Sequence, residues 1–139
     1  MDKPVITGDT MIVPSDQEFL TDVDIFLEAT LRGYDVDESI VADIAISVSE
    51  LVINAMLHGN ESSPDKSVTV RINKADHLVK ISVSDEGSGF NPNEIENPLA
   101  EENLLKEVGR GIFVVRSLMD TVDIKPSPSG TTVTISKTI

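Results

Sequence analysis

Residues 44–60 read Ile44-Ala45-Ile46-Ser47-Val48-Ser49-Glu50-Leu51-Val52-Ile53-Asn54-Ala55-Met56-Leu57-His58-Gly59-Asn60. The run is apolar nearly all round, the pattern of a helix buried between other layers. Its polar residues Ser47, Glu50, Asn54 and His58 recur at intervals of three, four and four, which places them on one stripe of the helix. An ionised carboxylate on a mostly buried helix is costly unless it is paired or faces a polar cavity. The stripe therefore predicts one wet edge that opens on a site. A Glu/Asn pair alone is also what an ordinary solvent face shows, so the rest of the chain decides.

With 139 residues the chain is long enough for one domain, residues 1–139, with a real core. A hydrophobic content of 40% with 25% charged residues separates it from disordered chains. The absence of cysteine rules out a disulfide framework, a thiolate zinc site and Cys nucleophile chemistry. The first residues lack a cationic start followed by an apolar core, and no uninterrupted apolar run approaches the roughly 20 residues of a bilayer span. A cytoplasmic location is the expectation. A net charge of −13, from 11 cationic and 24 acidic side chains, argues against direct nucleic-acid contact and against anionic membranes. The same field would steer a basic protein partner favourably. A small anionic ligand would need a magnesium ion or local backbone dipoles.

Along the chain, Val5-Ile6 and Met11-Ile12-Val13, bounded by Pro4 and Pro14, predict an edge strand or small hairpin. Ser15 with Glu18 has the spacing of a capping box. The helix it would start carries Phe19, Val23, Phe26 and Leu27 on one face, and Gly33 is placed to end it. Asp37 can cap the second helix, which runs to about residue 58 and is stopped by Gly59. Residues 68–73 and 78–84 alternate apolar and polar with period two, an antiparallel pair packed on one side. Asp85 shares the parity of Val79, Ile81 and Val83 and should point toward the helices. Val122-Asp123-Ile124 and residues 131–135 make a second hairpin, with the Thr131 hydroxyl facing inward.

Two glycine-bearing stretches complete the pattern. Asp85-Glu86-Gly87-Ser88-Gly89-Phe90 follows a strand, and its glycines allow a close approach that a Cβ would block. Residues 91–108 are rich in Asn, Pro and Glu, and a connection of that length is commonly a lid. Gly109-Arg110-Gly111 should end it and open a helix over 112–120, placing free backbone N–H groups where a phosphate could bind.

Glu50-x-x-x-Asn54 with His58-Gly59-Asn60, Asp85-x-Gly87-x-Gly89, Gly109-x-Gly111 and Gly130-Thr131-Thr132 follow one another in the order of the GHKL superfamily of ATP-binding domains, the Bergerat fold, which residues 15–137 resemble. Within it the chain is most similar to the short bacterial anti-sigma-factor serine kinases of the RsbW and SpoIIAB type. The fold implied is a two-layer α/β (α+β) sandwich. Its sheet would be mixed and mostly antiparallel, with helices on one face and a lid at 91–108.

The resemblance also implies roles. ATP and Mg2+ are the cofactors. Glu50 would be the catalytic base and Asn54 the metal ligand. Asp85 would accept the adenine amino proton beside Thr131, with Gly87 and Gly89 against the ring. His58, Phe90, Lys106, Gly109, Arg110, Gly111 and Ile112 would complete the ATP site. The implied partners are an anti-sigma-factor antagonist, a sigma factor or both, and a homodimer is left open. One departure stands out: kinases of this group carry an Arg shortly before the second glycine element, and here Lys106-Glu107-Val108 occupy those positions. Two alternatives therefore stay open. One is a module that uses nucleotide only to switch partner binding, and the other is a detached sensor-kinase domain that phosphorylates a His.

Overall fold

The computed structural model describes residues 2–87 and 103–139, and over 103–108 the backbone alone. The chain runs β1 (Val5–Thr7), β2 (Thr10–Pro14), a 3-10 turn (Gln17–Phe19), α1 (Leu20–Gly33) and α2 (Glu38–Asn54). A π-helical turn (Ala55–Gly59) extends α2. Then come β3 (Ser67–Ala75), β4 (Leu78–Ser84), α3 (Asn103–Leu118), β5 (Thr121–Ser127) and β6 (Gly130–Thr138). The six strands form one sheet in the order β1-β2-β3-β4-β6-β5. Every pairing among the described residues is antiparallel, where a mixed, mostly antiparallel sheet was expected.

The period-two pattern sets the two faces. Val70 pairs with Val83, Ile72 with Ile81, and Ile81 in turn with Ile135. All of these are buried, in one cluster with Leu27, Ile44, Val48, Val52 and Val115 from the helices. Each such side chain contributes about 1.5–3 kcal/mol when fully buried. On the opposite face Arg71, Asn73 and Lys80 are exposed, and hydroxyl pairs Ser82–Thr134 and Ser84–Thr132 link β4 to β6 at 3.2 and 2.9 Å.

Glu38–Gly59 is long and apolar enough by composition to span a membrane. Counting uninterrupted runs misses this, because Asp43 and Glu50 break the segment. Its Ile44, Val48, Leu51 and Val52 are buried in the core, so the apolarity is that of a central helix covered on several sides.

Several helix ends differ from expectation. Ser15 is not a cap: it is buried and its hydroxyl donates to the Lys66 carbonyl at 2.8 Å. Asp16 instead caps the 3-10 turn by accepting from the Glu18 N–H at 3.0 Å. Gly33 stays inside α1, and Asp35, at φ 59°, takes the left-handed position. There the Asp35 and Val36 N–H groups reach back to the Arg32 and Leu31 carbonyls, the double closure that satisfies a helix's last acceptors. Asp37 precedes α2 without capping it through its side chain. Ser47 does not belong to the wet stripe, since it is fully buried and its hydroxyl donates to the Asp43 carbonyl at 2.9 Å.

The largest difference is at α3. The expected loop at 91–108 lies outside the described residues up to 102, but 103–108 are helical. Gly109, Arg110 and Gly111 are therefore inside a helix and not before one, and their N–H groups are not among the free donors of its first turn.

Candidate functional site

Asp85 follows β4 and keeps that strand's inward parity. Its N–H donates to the Thr131 carbonyl at 3.0 Å, which extends the β4–β6 ladder. Its Oδ1 accepts from the Gly87 N–H at 2.9 Å and the Thr131 N–H at 3.0 Å. Burial pushes the Asp85 carboxyl above its ordinary value, opposed by those two backbone donors and by the Lys66 charge. With Oδ1 engaged, Oδ2 is directed toward Gly59.

Three glycines make the packing around Asp85 close. A Cβ on Gly59 would overlap Asp85 Oδ2, one on Gly87 would overlap the Gly59 carbonyl oxygen, and one on Gly130 would overlap the Asp85 carbonyl oxygen. Gly130 also has φ +147°, a conformation that a side chain disfavours. Next to it Thr131 is buried, and its Oγ1 has no hydrogen-bond partner. A buried hydroxyl without a partner is uncommon and calls for a ligand or water. Together they present a carboxylate acceptor and an adaptable hydroxyl beside bare backbone. That suits a flat group bearing an N–H next to an acceptor.

Asn60 holds the region together. It is fully buried; its Nδ2 donates to Ser15 Oγ at 2.7 Å and to the Ser67 carbonyl at 2.9 Å. Its Oδ1 accepts from the Glu86 N–H at 2.7 Å. One side chain thus ties the end of α2, the start of β3 and the Asp85 turn together. The sequence alone assigns Asn60 no role. The only signal was an amide just after a helix-ending glycine.

The second half of the site lies one π turn earlier. Glu50 and Asn54 are half-buried on α2, facing α3. A Cβ on Gly111 would stand 2.9 Å from Asn54 Nδ2 and 3.1 Å from Glu50 Oε2. The missing side chain lets α3 close onto the two polar groups. Gly111 therefore acts by close packing and not as a terminal N–H donor. Asn54 Nδ2 is buried without a hydrogen-bond partner. Among the described residues no group of three or more acidic or His side chains is placed to hold a metal, so a cation here would depend on Asn54 and on a ligand's own oxygens.

The remaining candidates separate. His58 is half-buried on the π turn and Arg110 is exposed on α3. Ile112 is 3% exposed, and its side chain packs in the core. Gly89, Phe90 and the side chain of Lys106 lie outside the described residues.

A family profile described as "Histidine kinase-like ATPase domain" matches residues 13–137. The anti-sigma F factor of Bacillus licheniformis is 35% identical over 100 residues, covering 70% of this chain and 68% of that one. The serine-protein kinase RsbW of Bacillus subtilis is 29% identical over 135 residues, covering 91% of this chain and 82% of that one. A solved Mycobacterium tuberculosis structure with RsbU and RsbW domains matches 97% of this chain and 31% of its own at a TM-score of 0.70. At 23% identity that likeness speaks for the fold.

Proposed function

The chain belongs to the histidine kinase-like ATPase domain family, and on that premise we propose that it binds ATP with magnesium and acts as an anti-sigma factor with serine-protein kinase activity toward an anti-sigma-factor antagonist. A role against a sigma factor is a cytoplasmic one. The observation that carries the reading is the pair formed by the Asp85 carboxylate and the unpartnered Thr131 hydroxyl. Adenine offers an exocyclic amino donor beside a ring-nitrogen acceptor. Asp85 Oδ2 accepts from the amino group, and Thr131 Oγ1 donates to the ring nitrogen. Gly59 and Gly87 let the backbone pack tightly around Asp85, which holds the carboxylate in place for the ring.

The phosphates then extend toward Asn54 and Glu50. Asn54 would hold magnesium through its amide oxygen, while its buried Nδ2, which lacks a partner, would donate to a phosphate oxygen. Bound magnesium supplies the positive charge that offsets the phosphates inside a chain of net charge −13. Glu50 takes the proton from a serine Oγ as the Oγ–phosphorus bond forms and the bond to ADP breaks. The protein's other contribution is positional and electrostatic.

One rival reading rests on Lys106-Glu107-Val108 standing where kinases of this group carry an Arg: a module whose nucleotide only switches partner affinity. Incubating the purified protein and its captured antagonist with labelled ATP separates the readings. Acid-stable phosphoserine on the antagonist supports the kinase, and acid-labile phosphate supports a His acceptor. No transfer, with ATP still changing partner affinity, supports the switch.

A further inference from the structure

Glu50 borders a second feature. A groove of about 560 Å3 runs between α1 and α2, with Leu20, Ala45 and Ile46 as apolar lining, Asp24 and Glu28 on the α1 side, and Glu50 as the last α2 residue along it. The α2 residues that line it run from Ala42 to Glu50. At 1.5 Å per residue that is roughly 12 Å, the length of three or four extended residues. Ile46 is 49% exposed, a large apolar side chain at the mouth of a groove that ends on the candidate base.

The charges around it are of one sign. Its lining includes Asp24, Glu28 and Glu50 and, among the described residues, no Lys or Arg. Arg32 pairs with Glu28 at 3.0 Å but also holds Glu38 at 2.9 Å, which draws it to the α1–α2 connection. Burial and a hydrogen bond shared with Glu28 push the Asp24 carboxyl up, against the lowering effect of the Arg32 charge.

We propose that this groove receives an extended segment of the phosphoacceptor protein, with an apolar side chain over Ile46 and a Lys or Arg against Asp24 and Glu28, and so delivers the serine hydroxyl to Glu50. The inference rests on Glu50 being the base. A second copy of this chain, with 11 cationic against 24 acidic side chains, is a poor complement to the carboxylates of this groove. An anionic bilayer is disfavoured by the same field. A cationic segment gains from the complementarity. The groove's continuity with Glu50 makes the substrate itself the fitting occupant.

Two synthetic serine peptides of equal length test this, both with a Leu near the serine, one with two Lys and one with two Glu at the same positions. Binding is read by fluorescence anisotropy in the presence of a non-hydrolysable ATP analogue, and transfer by labelled ATP. The Lys peptide should bind at least tenfold more tightly. Asp24→Lys should raise its KM about tenfold or more and favour the Glu peptide, with kcat and ATP affinity nearly unchanged. Asp24→Asn should give a smaller shift in the same direction, and Ile46→Asp should weaken both peptides. If the wild type phosphorylates the peptides but these substitutions leave KM and affinity unchanged, the groove assignment is wrong while the kinase reading stands. If the Lys peptide binds with these dependences but receives no phosphate, the groove stands and the role of Glu50 falls. Failure of both peptides to bind overturns the proposal.

Discussion

Gly59 lies directly against Asp85, so close that a Cβ on the glycine would overlap the carboxylate at Oδ2. The contact joins the end of the polar helix to the end of β4. It fixes where the carboxylate can point, and it makes Gly59 part of the site and more than a helix stop. Gly59→Ala should displace the Asp85 side chain. Overpacking of this kind typically costs about 1–3 kcal/mol. Calorimetry should show ATP affinity reduced at least tenfold, and thermal melting should show lower stability. Unchanged affinity would mean that the ring does not sit here.

Asp85→Asn separates fold from ligand. The amide oxygen can still accept from Gly87 and Thr131, but an amide nitrogen at the Oδ2 position would face the adenine amino group donor to donor. ATP binding should weaken about tenfold or more, on the scale of an unpaired buried group. Stability should move the other way. Because burial raises the Asp85 carboxyl above 3.8 in the folded state, ionising it opposes folding. The contribution of Asp85 is most favourable below 3.8 and declines as pH rises through the raised value. Relative to wild type, Asp85→Asn should therefore gain stability over that window and hold a constant difference above it. Urea titrations at several pH values would show this, and a difference that shrinks with rising pH would contradict it.

Thr131→Val tests the unpartnered hydroxyl. Oγ1 makes no hydrogen bond within the protein, so its removal should leave the nucleotide-free protein as stable as before or slightly more so. ATP should bind several-fold more weakly. A large loss of stability without nucleotide would show that the hydroxyl has a structural role instead.

Asn60→Ala addresses the brace. It leaves the part-buried Glu86 N–H and Ser67 carbonyl without their amide partner and removes the donor to the buried Ser15 Oγ, which keeps its bond to the Lys66 carbonyl. Unsatisfied buried groups cost about 1–3 kcal/mol each, so denaturant melting should show a loss of at least about 2 kcal/mol. ATP affinity should fall with it, because the Asp85 turn loses its anchor. A fully stable Asn60→Ala would remove Asn60 from that role.

Periodicity carried most of the fold. Val79, Ile81 and Val83 fixed the parity of β4, which turned Asp85 inward, and Val133 and Ile135 did the same for Thr131 on β6. The stripe on α2 placed Glu50 and Asn54 on one edge, although Ser47 showed that a hydroxyl can satisfy itself within its own helix. Local signals at the ends were weaker. Ser15 and Glu18 have capping-box spacing, yet the buried Asn60 takes Ser15 as a partner, and a tertiary contact overrides the local one. Gly109 and Gly111 looked like punctuation before a helix. Gly111 instead answers a long-range need, the approach of α3 to Asn54 and Glu50, which no spacing rule contains. Asn60 was missed for the same reason: its three partners lie 7 to 45 residues away in the chain.

The most direct test is single-turnover phosphoryl transfer from Mg-ATP by Glu50→Gln, with protein in excess over nucleotide and the antagonist as acceptor. Glutamine keeps the shape and the hydrogen bonding but not the basic carboxylate. ATP affinity should stay within a few-fold of wild type, while transfer to serine falls about a hundredfold or more. Transfer at the wild-type rate, with ATP bound normally, would show that Glu50 is not the base and would contradict the assignment of the α2 edge as the catalytic one.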